Sequence, residues 1–347
     1  MPATAEMEDG PVEGAEGLLR RGGREPTCRT RRLRHNRTMT ILVGTASWSD
    51  KSLIDSGKFY PKDATSAEDR LRYYASQFPM VEVDSSYYAI PSPHTAQLWV
   101  ERTPPGFVFN IKAFRALTGH QFQAKVLPKD VREAIDAGGG AGTGNLYYRD
   151  LPAELQKELW RRFFDAIEPL RLAGKLGAVH FQFAPWITSG GAPRKHVEHC
   201  VRVMEGQGLM AVEFRNISWW TERNRDSTLD FERERGLVNV VVDSPQGFSS
   251  SVPAVWEATS PELAIVRMHG RNTETWEKKG LKASSDRFNY DYSEAELGEI
   301  AESVASLAQE VPLTHVVLNN NFEDQGQRNA KTLMRMLEVS SSPAVSQ

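Results

Sequence analysis

The chain has 347 residues, of which 40% are hydrophobic and 25% are charged, and this composition is ordinary for a soluble globular protein. The formal net charge of -3 disfavours a protein that binds nucleic acid or a membrane surface mainly through its overall charge. Cys28 and Cys200 are the only cysteines, so a disulfide framework and a four-cysteine zinc site are excluded. With no apolar run of roughly 18 residues and no signal-peptide stretch, we expect a cytoplasmic protein.

The first 38 residues differ in charge pattern from the rest of the chain. Residues 1–19 carry five acidic side chains and no basic one, whereas residues 20–38 carry eight arginines and one glutamate. Neither part has an apolar period, so we expect residues 1–38 to be a disordered extension and residues 339–347 a disordered tail. A nucleic-acid-binding arm is the alternative for the extension, and Met39 is an alternative start.

From Ile41 onward, apolar segments typical of buried strands alternate with segments typical of amphipathic helices. The predicted strands are Ile41–Ala46, Met80–Asp84, Phe107–Lys112, Ala178–Phe183, Met210–Phe214, Leu237–Asp243, Ala264–His269 and His315–Asn319. The predicted helices are Ala67–Phe78, Thr95–Arg102, Ala153–Leu172, Lys195–Gln207, Thr228–Arg235 and Glu294–Gln309. Eight such strands predict an α/β protein with a parallel sheet, and eight strands close a (β/α)8 barrel.

An open, doubly wound sheet is the alternative fold. Against it, the segment Val43–Ser47 after the first strand lacks the glycine spacing of a dinucleotide-binding fingerprint. We therefore predict a TIM-barrel-like fold as a single domain over residues 39–338.

Two of the predicted helices have clear end signals. In Ala153–Leu172 an apolar stripe repeats at helical spacing, Pro152 suits the first turn, and Gly174 suits the end. Ser293 and Glu296 form a capping box at the start of the last predicted helix. Both helices are expected to pack on the sheet.

Two irregular segments interrupt the alternation of strands and helices. Residues 121–150 contain the glycine-rich run 138–144, which lacks the Gly-Lys-Ser/Thr ending of a phosphate loop. We expect this segment to be a flexible insertion above the barrel mouth. Residues 244–260 are rich in Ser and Pro and replace a helix, so we expect a surface loop there.

Short motifs distributed along the chain carry a resemblance to a known family. They are VGTASW (43–48), FYP (59–61), EVDSSYY (82–88), TPPGF (103–107), FNIK (109–112), KLG (175–177), QF (182–183), VEFR (212–215), SW (218–219), MHGRN (268–272), NN (319–320) and NA (329–330). With these motifs in order, the chain resembles the DUF72 (YecE-like) family. The resemblance implies a TIM-barrel-like fold and implies no particular reaction. The chain departs from the family pattern at Asp84, where Asn is common, and at His180, where an aliphatic residue is common.

Polar side chains occur at the carboxyl ends of the predicted strands. Glu82 and Asp84 share one face because strand side chains alternate sides, and the same alternation recurs at the ends of four other strands. In a barrel these side chains converge on the face that carries activity. The predicted catalytic residues are Glu82, Lys112, Glu213, Asp243 and His269. The predicted substrate-binding residues are Asp84, Tyr88, Gln182, Arg215, Trp219, Arg267, Arg271, Asn272, Asn319 and Asn320.

A self-satisfied ion-pair network is the alternative to a functional site. Each buried polar group without a partner costs about 1–3 kcal/mol, so these groups must pair with one another, with water or with a ligand. In the alternative, Glu82 or Glu213 neutralises a neighbouring cation such as Lys112. Taken as a whole, the set favours a site.

Several chemistries fit these residue types. The set Glu82, Glu213, Asp243 and His269 suits a divalent ion such as Mg, Mn or Zn. Metal-free acid/base catalysis by two carboxylates with separated pKa values fits equally well. A Schiff base on Lys112 ranks third. In barrels the loops after the last two strands often bind phosphate, which predicts an anionic group near Arg267, Arg271 and Asn320.

The leading hypothesis is an enzyme that acts on a polyhydroxylated or phosphorylated compound by acid/base chemistry, with a divalent metal ion as a candidate cofactor. The alternatives are a nucleic-acid-binding or phosphodiester-cleaving protein and a non-catalytic ligand-binding module. The expected partner is a small polar or phosphorylated molecule rather than a membrane. The sequence specifies neither the substrate nor the oligomeric state.

Overall fold

The structure of the protein, a computed structural model, describes residues 39–137, 144–281 and 284–340. Its strands are β1 (Thr40–Ala46), β2 (Met80–Val83), β3 (Val108–Lys112), β4 (Phe122–Gln123), β5 (Asn145–Leu146), β6 (Leu176–Gln182), β7 (Met210–Glu213), β8 (Val238–Asp243), β9 (Leu263–Met268) and β10 (Leu313–Leu318). Its α-helices are α1 (Lys51–Ser56), α2 (Ala67–Gln77), α3 (Ser85–Tyr88), α4 (Pro93–Glu101), α5 (Lys129–Ala137), α6 (Ala153–Leu172), α7 (Gly191–Met204), α8 (Arg225–Glu234), α9 (Glu294–Leu307) and α10 (Gln325–Met336).

Eight of the strands pair in parallel and close into a barrel in the order β1, β10, β9, β8, β7, β6, β3 and β2. Every predicted strand is present, with its ends shifted by at most two residues. Because β1 pairs with both β10 and β2, the sheet has no free edge, which excludes the open doubly wound alternative. The predicted α/β TIM-barrel-like fold is therefore confirmed.

The end signals of the two best-defined helices act as the sequence predicts. Helix α6 has the predicted bounds, and Gly174 follows it with a φ of 64°, a left-handed conformation that glycine adopts without strain. At the start of α9, Ser293 Oγ accepts from the backbone N–H of Glu296, and the Glu296 side chain accepts from the N–H of Ser293. None of the helices in the described ranges is long and apolar enough to cross a membrane.

Four described helices, α1, α3, α5 and α10, lie outside the predicted set. Helices α1 and α3 have six and four residues, which is too short to show a helical period. In α10 the buried side chains include Gln327 and Asn329, so polar residues interrupt the apolar stripe that identifies a helix from sequence.

The segment 244–260 has no helix or strand, as predicted, but it is not a purely exposed loop. Val252 and Val255 are buried in the main hydrophobic core. Asn239 Nδ2, on β8, donates to the carbonyl oxygens of Val255 and Glu257 at 3.0 and 3.1 Å. The segment therefore covers the barrel where other βα units use a helix.

The predicted insertion 121–150 contains regular structure in its described part. Strands β4 and β5 pair antiparallel, and helix α5 lies between them in the chain. Tyr148, which follows β5, is buried in the core. The predicted disordered segments 1–38 and 341–347, and the glycine-rich residues 138–143, lie outside the described residues. In the described part of the predicted tail, the Val339 N–H donates to the Met334 carbonyl oxygen.

The strand register determines which side chains enter the barrel. Neighbouring residues in parallel strands share a face, and the register aligns Glu82 with Asn110, Lys112 with His180, and Gln182 with Glu213. A separate apolar cluster contains Leu42, Ala46, Met80 and Val317. Within this cluster β1 and β2 approach so closely that only glycine fits at position 44, since a Cβ there would lie 2.2 Å from the Met80 carbonyl oxygen.

We expect Gly44→Ala to destabilise the protein by about 1–3 kcal/mol, because the added methyl group meets backbone that is held by the barrel and cannot move aside. Gly298→Ala is the matched control, since its Cβ meets nothing within 4 Å in the middle of α9. The free energy of unfolding of the Gly298→Ala control should rise by about 0.4–1 kcal/mol. Urea unfolding of both variants checks this, and equal stabilities would contradict the close approach of β1 and β2.

Candidate functional site

The barrel holds an arginine between two carboxylates. Arg267, on β9, donates from Nη2 to Glu82 Oε1 at 2.5 Å and from Nη1 to Glu213 Oε2 at 2.8 Å. The three side chains come from three strands, and none of them is more than 1% exposed. Burying charges in this way is tolerated only when each charge has a close partner of opposite sign.

His180, on β6, completes this arrangement. Its Nδ1 lies 3.0 Å from Glu82 Oε2, and its Nε2 lies 3.2 Å from Glu213 Oε2. Arg267 and His180 therefore contact the same two carboxylates. We refer to Glu82, His180, Glu213 and Arg267 as the central cluster.

The central cluster holds its two carboxyl groups in the ionised form. Burial raises the pKa of Glu82 and Glu213, but the attraction of Arg267, supported by the neighbouring histidines, outweighs burial and lowers both pKa values below their ordinary range. A carboxyl group with a lowered pKa is a poor proton donor at neutral pH. Glu82 and Glu213 are therefore poorly suited to donate a proton.

His269 extends the central cluster toward β10. Its Nε2 lies 3.3 Å from Glu213 Oε1, and Asn319 Nδ2 lies 2.8 Å from its Nδ1. Burial lowers the pKa of His269 to about 3, despite the opposing attraction of Glu213. The imidazole is therefore neutral at physiological pH.

Partly exposed polar groups lie next to the central cluster. Lys112 Nζ is 3.2 Å from Asp84 Oδ1, and these side chains are 11% and 21% exposed. Arg215 Nη1 donates to Glu213 Oε1 at 2.8 Å, and the Arg215 side chain is 12% exposed. Gln182 Oε1 accepts from Arg267 Nη1 at 3.2 Å. These groups can reach a ligand, whereas the central cluster is closed to solvent.

A third cation, Arg115, lies beside these groups in the turn after β3. Lys112 and Arg115 both lie over the ring of Tyr87, at 5.1 and 5.2 Å from its centroid. Burial, together with the charges of Arg115, Lys112 and Arg215, lowers the pKa of His120 to about 3. All three cations therefore act on one side chain. We refer to Asp84, Lys112, Arg115 and Arg215 as the mouth.

Asp243, predicted as catalytic, and Arg271, predicted as substrate-binding, lie away from the mouth. Val242 is aligned with Arg267 and faces the barrel interior, so Asp243 faces outward. There Arg271 Nη2 donates to Asp243 Oδ1 at 2.8 Å, and the hydroxyl group of Tyr292 donates to Asp243 Oδ2 at 2.5 Å. These hydrogen bonds link the end of β8 to the chain segment that follows β9.

Two predicted asparagines also have structural partners. Asn272 Nδ2 donates to the Asn289 carbonyl oxygen, and its Oδ1 accepts from the backbone N–H groups of residues 274 and 275. Asn320 is fully buried, and its Nδ2 donates to the Tyr290 carbonyl oxygen and to Asn329 Oδ1. Arg271 and Asn320, two of the residues predicted to lie near an anionic group, therefore bond to other protein groups.

The two predicted aromatic residues have different environments. Trp219 is fully buried, and its ring stacks on Phe214 with a centroid distance of 3.8 Å, so it has no surface for a substrate. The Trp219 ring therefore packs in the core, away from solvent. Tyr88 is 54% exposed and contacts Tyr87 edge to face, so it remains available at the border of the mouth.

Some residues of the site are absent from the predicted set. His180 obeys the same alternation as Gln182 and was detectable from sequence by that signal. Arg115 lies in a turn, where no period of two applies, and the sequence carries no signal for it. Trp276 packs over Arg215 at 5.4 Å from its ring centroid and belongs to a long loop after β9.

The residues proposed to hold a metal ion do not fit one. Arg267 occupies the position between Glu82 and Glu213, and Asp243 faces away from both. Among the residues that the structure describes, no group of three or more His, Cys, Asp or Glu side chains is arranged to hold a metal ion. The function proposed for this site therefore uses no metal ion.

Comparison with known proteins decides the family. The family model described as "Protein of unknown function DUF72" matches residues 42–347. The chain belongs to the DUF72 family. The UPF0759 protein YunF of Bacillus subtilis (strain 168) is 30% identical to this DUF72 chain over 301 residues, which cover 86% of this chain and 95% of YunF.

Solved structures of DUF72 proteins share the fold. A DUF72 family protein of Enterococcus faecalis V583 superposes with a TM-score of 0.71 at 24% identity, covering 89% of this chain and 99% of that chain. A DUF72 family protein of Thermotoga maritima MSB8 superposes with a TM-score of 0.66 at 28% identity, covering 86% and 99%. The names of these proteins state a family and no reaction.

We expect Arg267→Met to lower the free energy of unfolding by about 3–5 kcal/mol, because it leaves two buried carboxylates without their cation. Arg171→Met is the control, since Arg171 forms an exposed pair with Glu168 and should matter much less. Adding Glu82→Gln and Glu213→Gln to Arg267→Met should restore part of the loss. Chemical denaturation measures all variants, and equal effects of the two single substitutions would contradict the role of the central cluster.

We expect stability to fall as the pH is lowered from 7 to about 5.5, because His269 and His315 have pKa values lowered to about 3 in the folded state. In the unfolded chain both titrate near 6.5, so the unfolded state binds more protons between these values. Each contributes up to about 1.4 kcal/mol of the loss at pH 5.5. His315→Gln should flatten the dependence in urea unfolding at the two pH values, and an unchanged slope would contradict this account.

Proposed function

We propose that this DUF72 protein is an enzyme that binds a phosphorylated, polyhydroxylated small molecule at the mouth and acts on it by acid/base chemistry. The observation that carries the proposal is the charge of the mouth, where three cations, Lys112, Arg115 and Arg215, lie beside one partly exposed carboxylate, Asp84, whereas Glu213, the partner of Arg215, is buried. Such an excess of cations favours an anionic ligand.

The surroundings of the cations support a phosphate group in particular. Arginine presents paired N–H donors that match phosphate oxygens, and Arg115 Nε is buried without a hydrogen-bond partner. Gln182 and Asn319 lie beside the cluster and offer amide groups to hydroxyls of the ligand. The location at the carboxyl ends of the strands is the one that carries activity in enzymes of this fold.

Asp84 and Lys112 are the pair that we assign to proton transfer. They are 3.2 Å apart and partly exposed, so both can touch a bound ligand. In this scheme the Asp84 carboxylate accepts a proton from a hydroxyl or carbon of the ligand, and the Lys112 ammonium group donates to the oxygen that becomes negative. The central cluster holds Arg215 and the strand ends in position.

A non-catalytic ligand-binding module is the second candidate. It is favoured by the central cluster, in which Glu82 and Glu213 pair with Arg267 without a ligand. Both candidates use the mouth to bind an anion, and they differ only in turnover.

We expect Lys112→Met and Arg215→Gln each to weaken binding of ribose 5-phosphate at least tenfold, or about 1.4 kcal/mol, because each removes one cation from the mouth. Isothermal titration calorimetry measures the affinity, with Lys157→Met, on the exposed face of α6, as the matched control. Loss of affinity in the control alone, or in no variant, would contradict an anion site at the mouth.

Asp84→Asn separates the two candidates. For an enzyme, the substitution should leave ligand affinity within about threefold and reduce turnover at least a hundredfold, because only the proton acceptor is lost. Proton and phosphorus NMR of a panel of sugar phosphates incubated with the wild-type protein identifies the converted compound. Tight binding without conversion of any compound would favour the binding module.

A further inference from the structure

A cavity of about 270 Å³ lies beside the mouth, between the loops after β3 and β6 and the chain after β5. Its lining includes Gly119, Tyr147, Trp186 and His196, and most of its wall is apolar. Whole small-molecule sites usually enclose about 300–1,000 Å³, so this cavity suits one ring-sized part of a ligand. Its residues come from separate loops and from α7, so no local sequence pattern marks it.

The walls of the cavity are aromatic rings in fixed positions. Trp186 Nε1 donates to the Gly119 carbonyl oxygen at 3.0 Å, which holds the indole although the residue is 44% exposed. Tyr147 meets Trp186 edge to face at 6.3 Å, and Arg149 lies over the Tyr147 ring at 4.7 Å. Exposed rings that are held rigidly can stack on a planar ligand with little loss of conformational entropy.

In this wall the backbone at Gly119 packs closely against the side chain of Ile187. Its φ of 78° is left-handed, and a Cβ at this position would lie 2.8 Å from Ile187 Cδ1. The backbone carbonyl that holds Trp186 therefore depends on a glycine. His196, on α7, is fixed by a contact of 2.9 Å between its Nε2 and the Leu117 carbonyl oxygen.

The cavity is joined to the mouth by a row of rings. The Trp186 ring lies 5.7 Å from that of His120, and the His120 ring lies 5.3 Å from that of Tyr87. Tyr87 is the ring over which Lys112 and Arg115 lie. A ligand whose anionic end occupies the mouth can therefore place a planar group against Trp186.

We infer that this cavity is a subsite for a heteroaromatic base, so that the ligand of the mouth is a nucleoside phosphate. The inference rests on the proposed function, which supplies the phosphate and the polyhydroxylated part. The cavity adds the planar ring, because Trp186 and Tyr147 offer stacking faces and Arg149 adds a cation at the rim. A mononucleotide combines these three parts in one small molecule.

The test compares AMP, ribose 5-phosphate and adenosine by isothermal titration calorimetry on the full-length protein. We expect AMP to bind at least tenfold more tightly than ribose 5-phosphate, and Trp186→Ala to abolish this difference while changing ribose 5-phosphate affinity less than twofold. Trp186→Phe keeps a stacking ring and should retain most of the difference. Circular dichroism of the variants confirms that they are folded.

The outcomes separate this inference from the proposed function. Equal affinities for AMP and ribose 5-phosphate, both weakened by Lys112→Met, overturn the base subsite and leave the anion site intact. Absence of ribose 5-phosphate binding, together with adenosine binding that Trp186→Ala removes, supports the subsite and overturns the anion site. An affinity for a single-stranded oligonucleotide well above that for AMP overturns the assignment to a small nucleotide.

Discussion

Burying the guanidinium group of Arg267 removes a full charge from water, at a cost of several kcal/mol unless a partner of opposite sign lies in contact with it. Glu82 and Glu213 supply that charge at 2.5 and 2.8 Å, and His180 contacts the carboxylate oxygens from β6. These four residues come from four strands of the barrel. A shift of any of these strands by one residue would turn its cluster side chain outward, so the central cluster constrains the register of the barrel as well as its charge.

The same alternation that places the central cluster inside the barrel places the mouth above it. Asp84 follows Glu82 by two residues, and Arg215 follows Glu213 by two. Lys112 is aligned with His180 on the neighbouring strand. Because Asp84, Lys112 and Arg215 are each adjacent to a buried, paired side chain, their backbone is fixed before any ligand binds. Rigid placement of this kind lowers the conformational entropy lost on binding.

Apolar segments predicted the eight strands, and period-two alternation predicted which polar side chains lie together inside the barrel. It identified Glu82, Glu213 and Arg267 because each is an inward residue near the carboxyl end of a strand. It did not place Asp243, since Asn239 and Asp243, the two polar residues of β8, fall in the same alternate set and the valines between them do not show which set faces inward. It could not find Arg115 or Trp186, whose positions depend on loops that only the tertiary structure brings together. Local sequence pattern therefore predicts the strand residues of this region and does not predict the loop residues.

The state of the central cluster limits where proton transfer can occur. Glu82 and Glu213 remain ionised because Arg267 lowers their pKa values, and burial keeps His269 neutral, so none of the three is poised to exchange a proton near neutral pH. The proposed function therefore assigns proton transfer to the partly exposed pair of Asp84 and Lys112. In that proposal the buried charges are a preorganised support, because their field is fixed by the fold and requires no rearrangement when charge develops on a ligand.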